Sequence, residues 1–161
     1  MSFVGIVAEY EQALVRHAAR HLAGDIERAR DAVQETFMRL HQEGPETLDG
    51  RLRPWLYRVC RQRAIDLARK HRPVNVDPAA LDVHRPDPSA RDPAAGLEAD
   101  ERRAALAQAM AALPKAEREA VLLKFQDDLS YKEIAEATGR TVDHVGVLIH
   151  RGIRRLRAAL V

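Results

Sequence analysis

From Phe3 to Leu40 the apolar residues recur at three- and four-residue intervals, which predicts two amphipathic helices. Phe3, Val7, Tyr10, Leu14 and Ala18 share one face of the first. Gly24 breaks the pattern, and Asp25 has the short acceptor side chain of a helix cap. Ile26, Ala29, Val33, Phe37 and Leu40 then form a second stripe. GPETLDG, from Gly44 to Gly50, reads as a loop. Pro54 suits the first turn of a third helix, whose stripe is Leu56, Val59, Cys60, Ala64 and Leu67. No segment alternates as a strand does, so the expected class is all-α, beginning with a bundle of about three helices.

The second half follows the same period after an interruption. Five of the eight prolines lie between Pro73 and Pro93, where no apolar period survives. That composition predicts a Pro-rich, acidic linker over 73–100, dividing a domain at 1–72 from another at 101–161. Residues 101–112 read as a helix, and Pro114 opens another with Val121, Leu122 and Phe125 inward and Lys124 outward. Ser130 and Glu133 stand at capping-box spacing before Ile134, Ala135 and Ala137. Gly139 can supply the left-handed residue that ends this short helix, and Thr141 can cap the next.

That last pair has the length and turn of a helix-turn-helix. Val142, Val145, Ile149, Ile153, Leu156 and Leu160 line one face of the final helix. The opposite face carries Asp143, His144, Val147, Arg151 and Arg154. Short side chains near a helix N-terminus, ringed by cations, are what a major-groove reader needs. Asp143, His144 and Val147 would face base edges, Gly146 would allow close approach, and Arg140, Arg151, Arg154 and Arg155 would hold phosphates. The same pattern also fits a helical hairpin with a basic surface and no ligand.

Charge sharpens this reading. The net charge is only +2, but residues 53–72 hold seven Lys/Arg against Asp66, and residues 140–157 hold five Arg against Asp143. Between them, residues 73–101 hold seven acids against Arg85 and Arg91. Two separated basic blocks suggest two contacts with nucleic acid, although two solvated helix faces would look the same.

Little else suggests chemistry. Cys60 is the single cysteine, which leaves no disulfide framework, and it falls on an apolar stripe as a buried thiol would. His17 and His21 are four apart, a metal-compatible spacing, but with no third ligand they read as partly exposed surface histidines. Asp31 and Glu35 share that spacing without a nucleophile or glycine-rich loop, so no enzyme and no cofactor is expected. No apolar run is long enough to cross a membrane, and MSFVGIVAEYEQ lacks the features of a signal peptide. The expected location is cytoplasmic, without membrane insertion.

Three blocks together resemble the extracytoplasmic-function (ECF) class of the sigma-70 family of transcription initiation factors. They are ARDAVQETFMRL (29–40), PWLYRVCRQRAIDLARK (54–70) and LPKAEREAVLLKFQDDLSYKEIAEATGRT (113–141). The resemblance implies a sigma-2-like and a sigma-4-like helical domain. It implies that Asp31, Gln34, Glu35 and Arg39 bind core RNA polymerase. The loop from Gly44 to Arg53 would contact an extruded base of the melted −10 element. Arg53, Tyr57, Arg58, Arg61, Arg63, Arg69, Lys70 and Arg72 would bind the same strand, with Trp55 mainly in the core. For the −35 element, Arg140, Thr141, Asp143, His144, Val147, His150, Arg151 and Arg154 would enter the major groove. An anti-sigma factor is the implied regulator.

The chain also departs from the family pattern. Gly146 and Leu148 stand where cations are usual, Gln62 where asparagine is common, and His41 where tryptophan is. Missing cations would weaken phosphate contacts and their salt dependence. The rival readings are a helix-turn-helix regulator that acts without polymerase, and a sigma-like decoy that has lost promoter recognition.

Overall fold

A computed structural model of the chain describes residues 2–70 and 96–161. Most of the linker expectation, and Arg72, lie outside the described residues. Within them there are seven α-helices, one 3-10 turn and no strand.

Helix α1 (Phe3–His21) starts at Ser2, whose Oγ accepts from the Gly5 amide at 3.1 Å. Helix α2 (Ile26–Glu43) starts at Asp25, whose carboxylate accepts from the Arg28 amide at 3.2 Å. Each cap satisfies an amide that the helix itself leaves without a partner. The stretch read as a loop holds a 3-10 turn, Pro45–Leu48, with Leu48 buried. Helix α3 (Leu52–Lys70) follows, and α1, α2 and α3 each pack on the other two. Trp55 and Leu56 are buried between them, and Cys60 donates to the Leu14 carbonyl at 3.7 Å. Burial pushes the Cys60 thiol up to about 12, so it is inert at neutral pH.

Helix α4 spans Gly96–Ala112, five residues earlier than the sequence pattern placed it. Its early turns are alanine- and charge-rich, good helix formers without an apolar stripe to mark a start. Helices α5 (Lys115–Phe125), α6 (Tyr131–Thr138) and α7 (Val142–Leu160) complete the second unit, with α4, α5 and α6 all packed on α7. In α5 the inward apolar residues are Ala120, Val121 and Leu123, while Phe125 is 63% exposed, which reverses the expected orientation of Phe125. The reason lies beyond the helix: the chain turns at Gln126, and Leu129 fills the interior instead.

The two units are not separate. Helix α3 packs along α6, and one apolar cluster runs from Ile6 in α1 to Ile149 in α7. Leu129 and Ile134 are fully buried within it. Burying a side chain of that size stabilises the fold by roughly 1.5–3 kcal/mol.

Candidate nucleic-acid interface

The helix-turn-helix is built by local chemistry. Ser130 Oγ accepts from the Glu133 amide at 3.1 Å, and Glu133 Oε1 accepts from the Ser130 amide at 3.0 Å, a complete capping box. Gly139 ends α6 at φ 71°, a left-handed conformation in which a side chain would be strained. Thr141 Oγ1 then accepts from the His144 amide at 3.1 Å and starts α7.

Helix α7 turns one face inward and one outward. Val145, Leu148, Ile149 and Gly152 are buried. Asp143, His144, Val147, His150, Arg151 and Arg154 are exposed, Val147 by 42%. Thr141 itself is exposed at the tip. Arg151 and Arg154 form no ion pair among the described residues. Arg140 instead reaches Glu119 at 3.2 Å, and Arg155 reaches Glu117 at 3.0 Å, so these two cations brace α5.

Leu148 corrects one expectation. It lies in the interior at 6% exposure, so no cation is missing from the outer face at that position. Gly146 is half-buried, and a Cβ there would meet the Tyr131 ring at 3.6 Å, an ordinary contact. Gly152 differs: a Cβ there would stand 2.7 Å from Val121 Cγ2. Only a glycine lets α7 cross α5 at this distance.

The cationic face of α3 has a different setting. Arg53 donates to Glu133 of α6 through two hydrogen bonds, at 2.8 and 2.6 Å. These bonds raise the Arg53 pKa and lower that of Glu133. Arg51 meets Glu136 at 3.2 Å. Arg61 donates twice to Glu119 of α5, at 2.7 and 3.1 Å, and His21 lies 3.0 Å from the same carboxylate. Burial alone would raise Glu119, but hydrogen bonds from His21 and Arg61 outweigh it and hold its pKa far below the usual carboxylate range. Arg16 and Arg20 meet Asp127, beside the turn after α5, at 3.5 and 2.9 Å.

Tyr57 sits under this network at 2% exposure, 4.8 Å from the His17 ring. Burial, then the neighbouring Asp127 carboxylate, pushes its hydroxyl pKa up. In this arrangement Tyr57 is a core residue and offers no surface to DNA. His17 and His21 also differ from expectation. His17 is fully buried with Nε2 3.2 Å from the Tyr57 carbonyl, and the His21 side chain is 5% exposed. Both lie beneath the contact between units, which no spacing within α1 reveals.

The other α3 cations divide. Arg63 pairs with Glu35 of α2. Arg58 is half-buried, and Arg69 and Lys70 are exposed at the helix C-terminus, where cations complement the dipole. On α2, Asp31, Gln34 and Arg39 are exposed together with Met38, at 58%. Gln34 and Met38 also line an open groove of about 710 Å³ between α1 and α2, with Phe3, Val7, Phe37 and His41.

Sequence reasoning gave no partner to Glu119, Asp127 and Glu136, and it gave Glu133 only a capping role. Their partners lie 58 to 111 residues away along the chain, apart from Arg140, and such pairs leave no periodic trace.

Comparison with known proteins agrees with this architecture. Residues 7–74 match the family Sigma-70 region 2, and residues 103–156 match Sigma-70, region 4. The chain is 32% identical over 155 residues to the ECF RNA polymerase sigma factor SigL of Mycobacterium tuberculosis, covering 94% of this chain and 85% of that protein. It is 30% identical over 130 residues to the ECF RNA polymerase sigma factor SigM of Bacillus subtilis, covering 81% of this chain and 78% of that one. With the ECF RNA polymerase sigma factor SigE of Mycolicibacterium smegmatis the identity is 29%, and the chain spans 59% of that protein's length. Both regions are present in order, on a helical scaffold that ends in a capped helix-turn-helix, and the chain therefore belongs to the ECF class of the sigma-70 family, the factors that direct promoter-specific transcription by RNA polymerase.

Proposed function

We propose that this chain binds core RNA polymerase through α2 and reads a promoter at two places, the melted −10 strand along α3 and the −35 duplex along α7. It acts as a binding subunit and not as a catalyst, in the cytoplasm. The exposed face of α7 carries the reading: six polar or small apolar side chains face outward from a capped helix, and the opposite stripe is buried. Asp143, His144 and Val147 would meet base edges, and Val147 could pack on a thymine methyl. Arg151 and Arg154 would hold phosphates, with His150 and Thr141 at the edges of the contact. Gln34, Met38 and the groove beside them offer polymerase a mixed apolar and polar surface, flanked by Asp31 and Arg39. Glu35 reaches this face only from its pairing with Arg63.

Arg58, Arg69 and Lys70 are the α3 cations without an ion pair among the described residues, and they would make the first contacts with the melted strand. Arg53, Arg61 and Arg63 would join once their carboxylates are displaced. This reading keeps 1–72 and 101–161 as the two domains, although α4 begins earlier, at Gly96. An anti-sigma factor would regulate the chain by covering α2 or α7.

Run-off transcription with core polymerase over a pooled promoter library tests the reading. Defined transcripts should appear only when the protein is added. Alanine at both Arg69 and Lys70 should reduce promoter opening while leaving polymerase binding intact. Polymerase binding without transcripts would favour a decoy, and no binding to polymerase would refute the assignment.

A further inference from the structure

The exposed face of α7 carries two imidazoles beside its two free guanidiniums. His144 and His150 are both exposed, and neither ring has a hydrogen bond or ion pair among the described residues. Only the backbone amide of His144 is engaged, by the Thr141 cap. The other described histidines are occupied elsewhere: His17 and His21 lie in the contact between units, and the His41 ring meets Phe3. At about 100° per residue the exposed positions fan out around Val147. His144 and Arg151 lie about 40–60° to one side, and His150, Arg154 and Asp143 about 20–60° to the other. Each flank thus holds one arginine and one histidine. A helix in the major groove has a sugar-phosphate backbone along each side, so each histidine shares a strand with an arginine.

Arginine is always charged, whereas imidazole changes charge between about pH 5 and 8. With both rings neutral, the face sets two cations against Asp143; with both protonated, it sets four. Acids on the elements packed around α7 are engaged away from this face. On α5, Glu117 meets Arg155 and Glu119 meets Arg140. On α6, Glu133 and Glu136 meet Arg53 and Arg51, and Lys132 is exposed. On α4, Glu98 and Asp100 meet Arg102 and Arg103, and Glu101 is exposed.

We propose that His144 and His150 are proton-dependent phosphate contacts: a −35 duplex binds α7 with uptake of protons onto both rings, and promoter affinity rises as pH falls. This inference rests on α7 as the −35 reader, as proposed above. The coupling is reciprocal, since a phosphate favours the charged ring and the charged ring favours the phosphate. The proton comes from solvent, and the ring N–H it creates donates to a phosphate oxygen. A charged imidazole donates from both nitrogens, so His144 can hold a phosphate and still meet a base edge.

The test uses the full chain assembled on core polymerase, with a fluorescent promoter duplex recovered from the run-off library. Low temperature keeps the duplex paired. Anisotropy is read from 50 to roughly 200 mM salt at about pH 8 and about pH 6. Two variants accompany the wild type on the same core, whose own titration cancels in the comparison. His144→Gln with His150→Gln is neutral at both pH values, and His144→Lys with His150→Lys is charged at both. All the substituted positions are exposed, and circular dichroism at each pH checks that the helices remain.

The wild type should bind about fivefold more tightly at the lower pH than the glutamine variant's own pH response predicts, the yield of two exposed ion pairs. Its slope of log affinity against log salt should steepen by up to about 1.8, the share of two phosphate contacts. The glutamine variant should lose this steepening. The lysine variant should lose it too, with the steep slope already present at about pH 8. A slope that steepens equally in the wild type and the glutamine variant overturns the proposal, and so does a wild-type slope that never steepens. In either case a duplex that is still bound leaves α7 as the −35 reader. If no promoter duplex is bound, that reading and this one fall together.

Discussion

Helices α3 and α7 each carry arginines along one face, but those faces meet different neighbours. On α3, Arg53 and Arg61 are each held by two hydrogen bonds to a carboxylate of the other unit, and Tyr57 is buried between them. On α7, Arg151 and Arg154 extend into solvent beside Val147. The difference teaches what an arginine count cannot. A guanidinium paired with a buried carboxylate must give up that partner before it can meet a phosphate, and it is little screened by salt. An exposed guanidinium is available at once, and its attraction for DNA falls with ionic strength. The two basic blocks look alike in the sequence, yet in each some arginines are paired with carboxylates and others stand exposed.

The largest way to break the comparison is at Glu119, which is only 9% exposed. Glu119→Ala leaves Arg61, His21 and Arg140 facing an empty site. Loss of one partner from a buried ion pair costs about 3–5 kcal/mol, and urea unfolding at pH 7 should show it. The matching change on α7, Arg154→Ala, should leave the unfolding midpoint nearly unmoved.

Acid gives the next effect. Burial, then the nearby His21 and Arg20, holds the His17 pKa well below 6.5, and Glu119 opposes this only in part. The native chain therefore keeps His17 neutral where the unfolded chain would protonate it. Stability is fully present above pH 6.5 and falls as pH drops toward the depressed native value, by about 1.4 kcal/mol per pH unit. His17→Gln should flatten that slope between pH 6.5 and 5.5 in denaturant titrations. An unchanged slope would place the titration elsewhere.

Thr141→Ala should cost about 1 kcal/mol through loss of the α7 cap, with faster amide exchange at His144 and little change in α3. The smallest effect concerns salt alone. Arg151→Ala should lower the slope of log affinity against log salt for duplex binding by about 0.9, the share of one phosphate contact. Fluorescence anisotropy between 50 and roughly 200 mM salt covers the range in which such slopes are read. No loss of slope would mean that Arg151 does not touch a phosphate.

The locally encoded features were the ones legible in the sequence. Asp25, the Ser130–Glu133 box, Gly139 and Thr141 act within a few residues of themselves, and the structure has each in its expected role. The buried stripe of α2 followed from its period, and so did the exposure of Val147. Features set by distant neighbours were not legible. Phe125 carries the right period for burial but points outward, because Leu129 from the following turn takes the interior. Leu148 looked like a lost cation because position in the helix was compared without knowing which side α5 and α6 would cover. Tyr57, His17 and His21 lie under a second unit whose first helix begins at Gly96, well beyond the reach of any local pattern. Of the candidate site, the positions of the cations and the exposed face of α7 could be read from the sequence. It gave no sign of the acids that meet the cations on α3, since an exposed glutamate and a masking glutamate are spelled alike.

Gly152 has a consequence for how the exposed face of α7 is aimed. It lies nine positions beyond Asp143, a lever of roughly 14 Å along the axis of α7. Its missing methyl sets how closely that lever is pinned to Val121. A side chain added there would force the two helices apart and swing the far end, where Asp143 and Val147 project. Where those two side chains project therefore depends on the pivot as well as on the residues themselves, and a substitution at Gly152, far from that end, would move it.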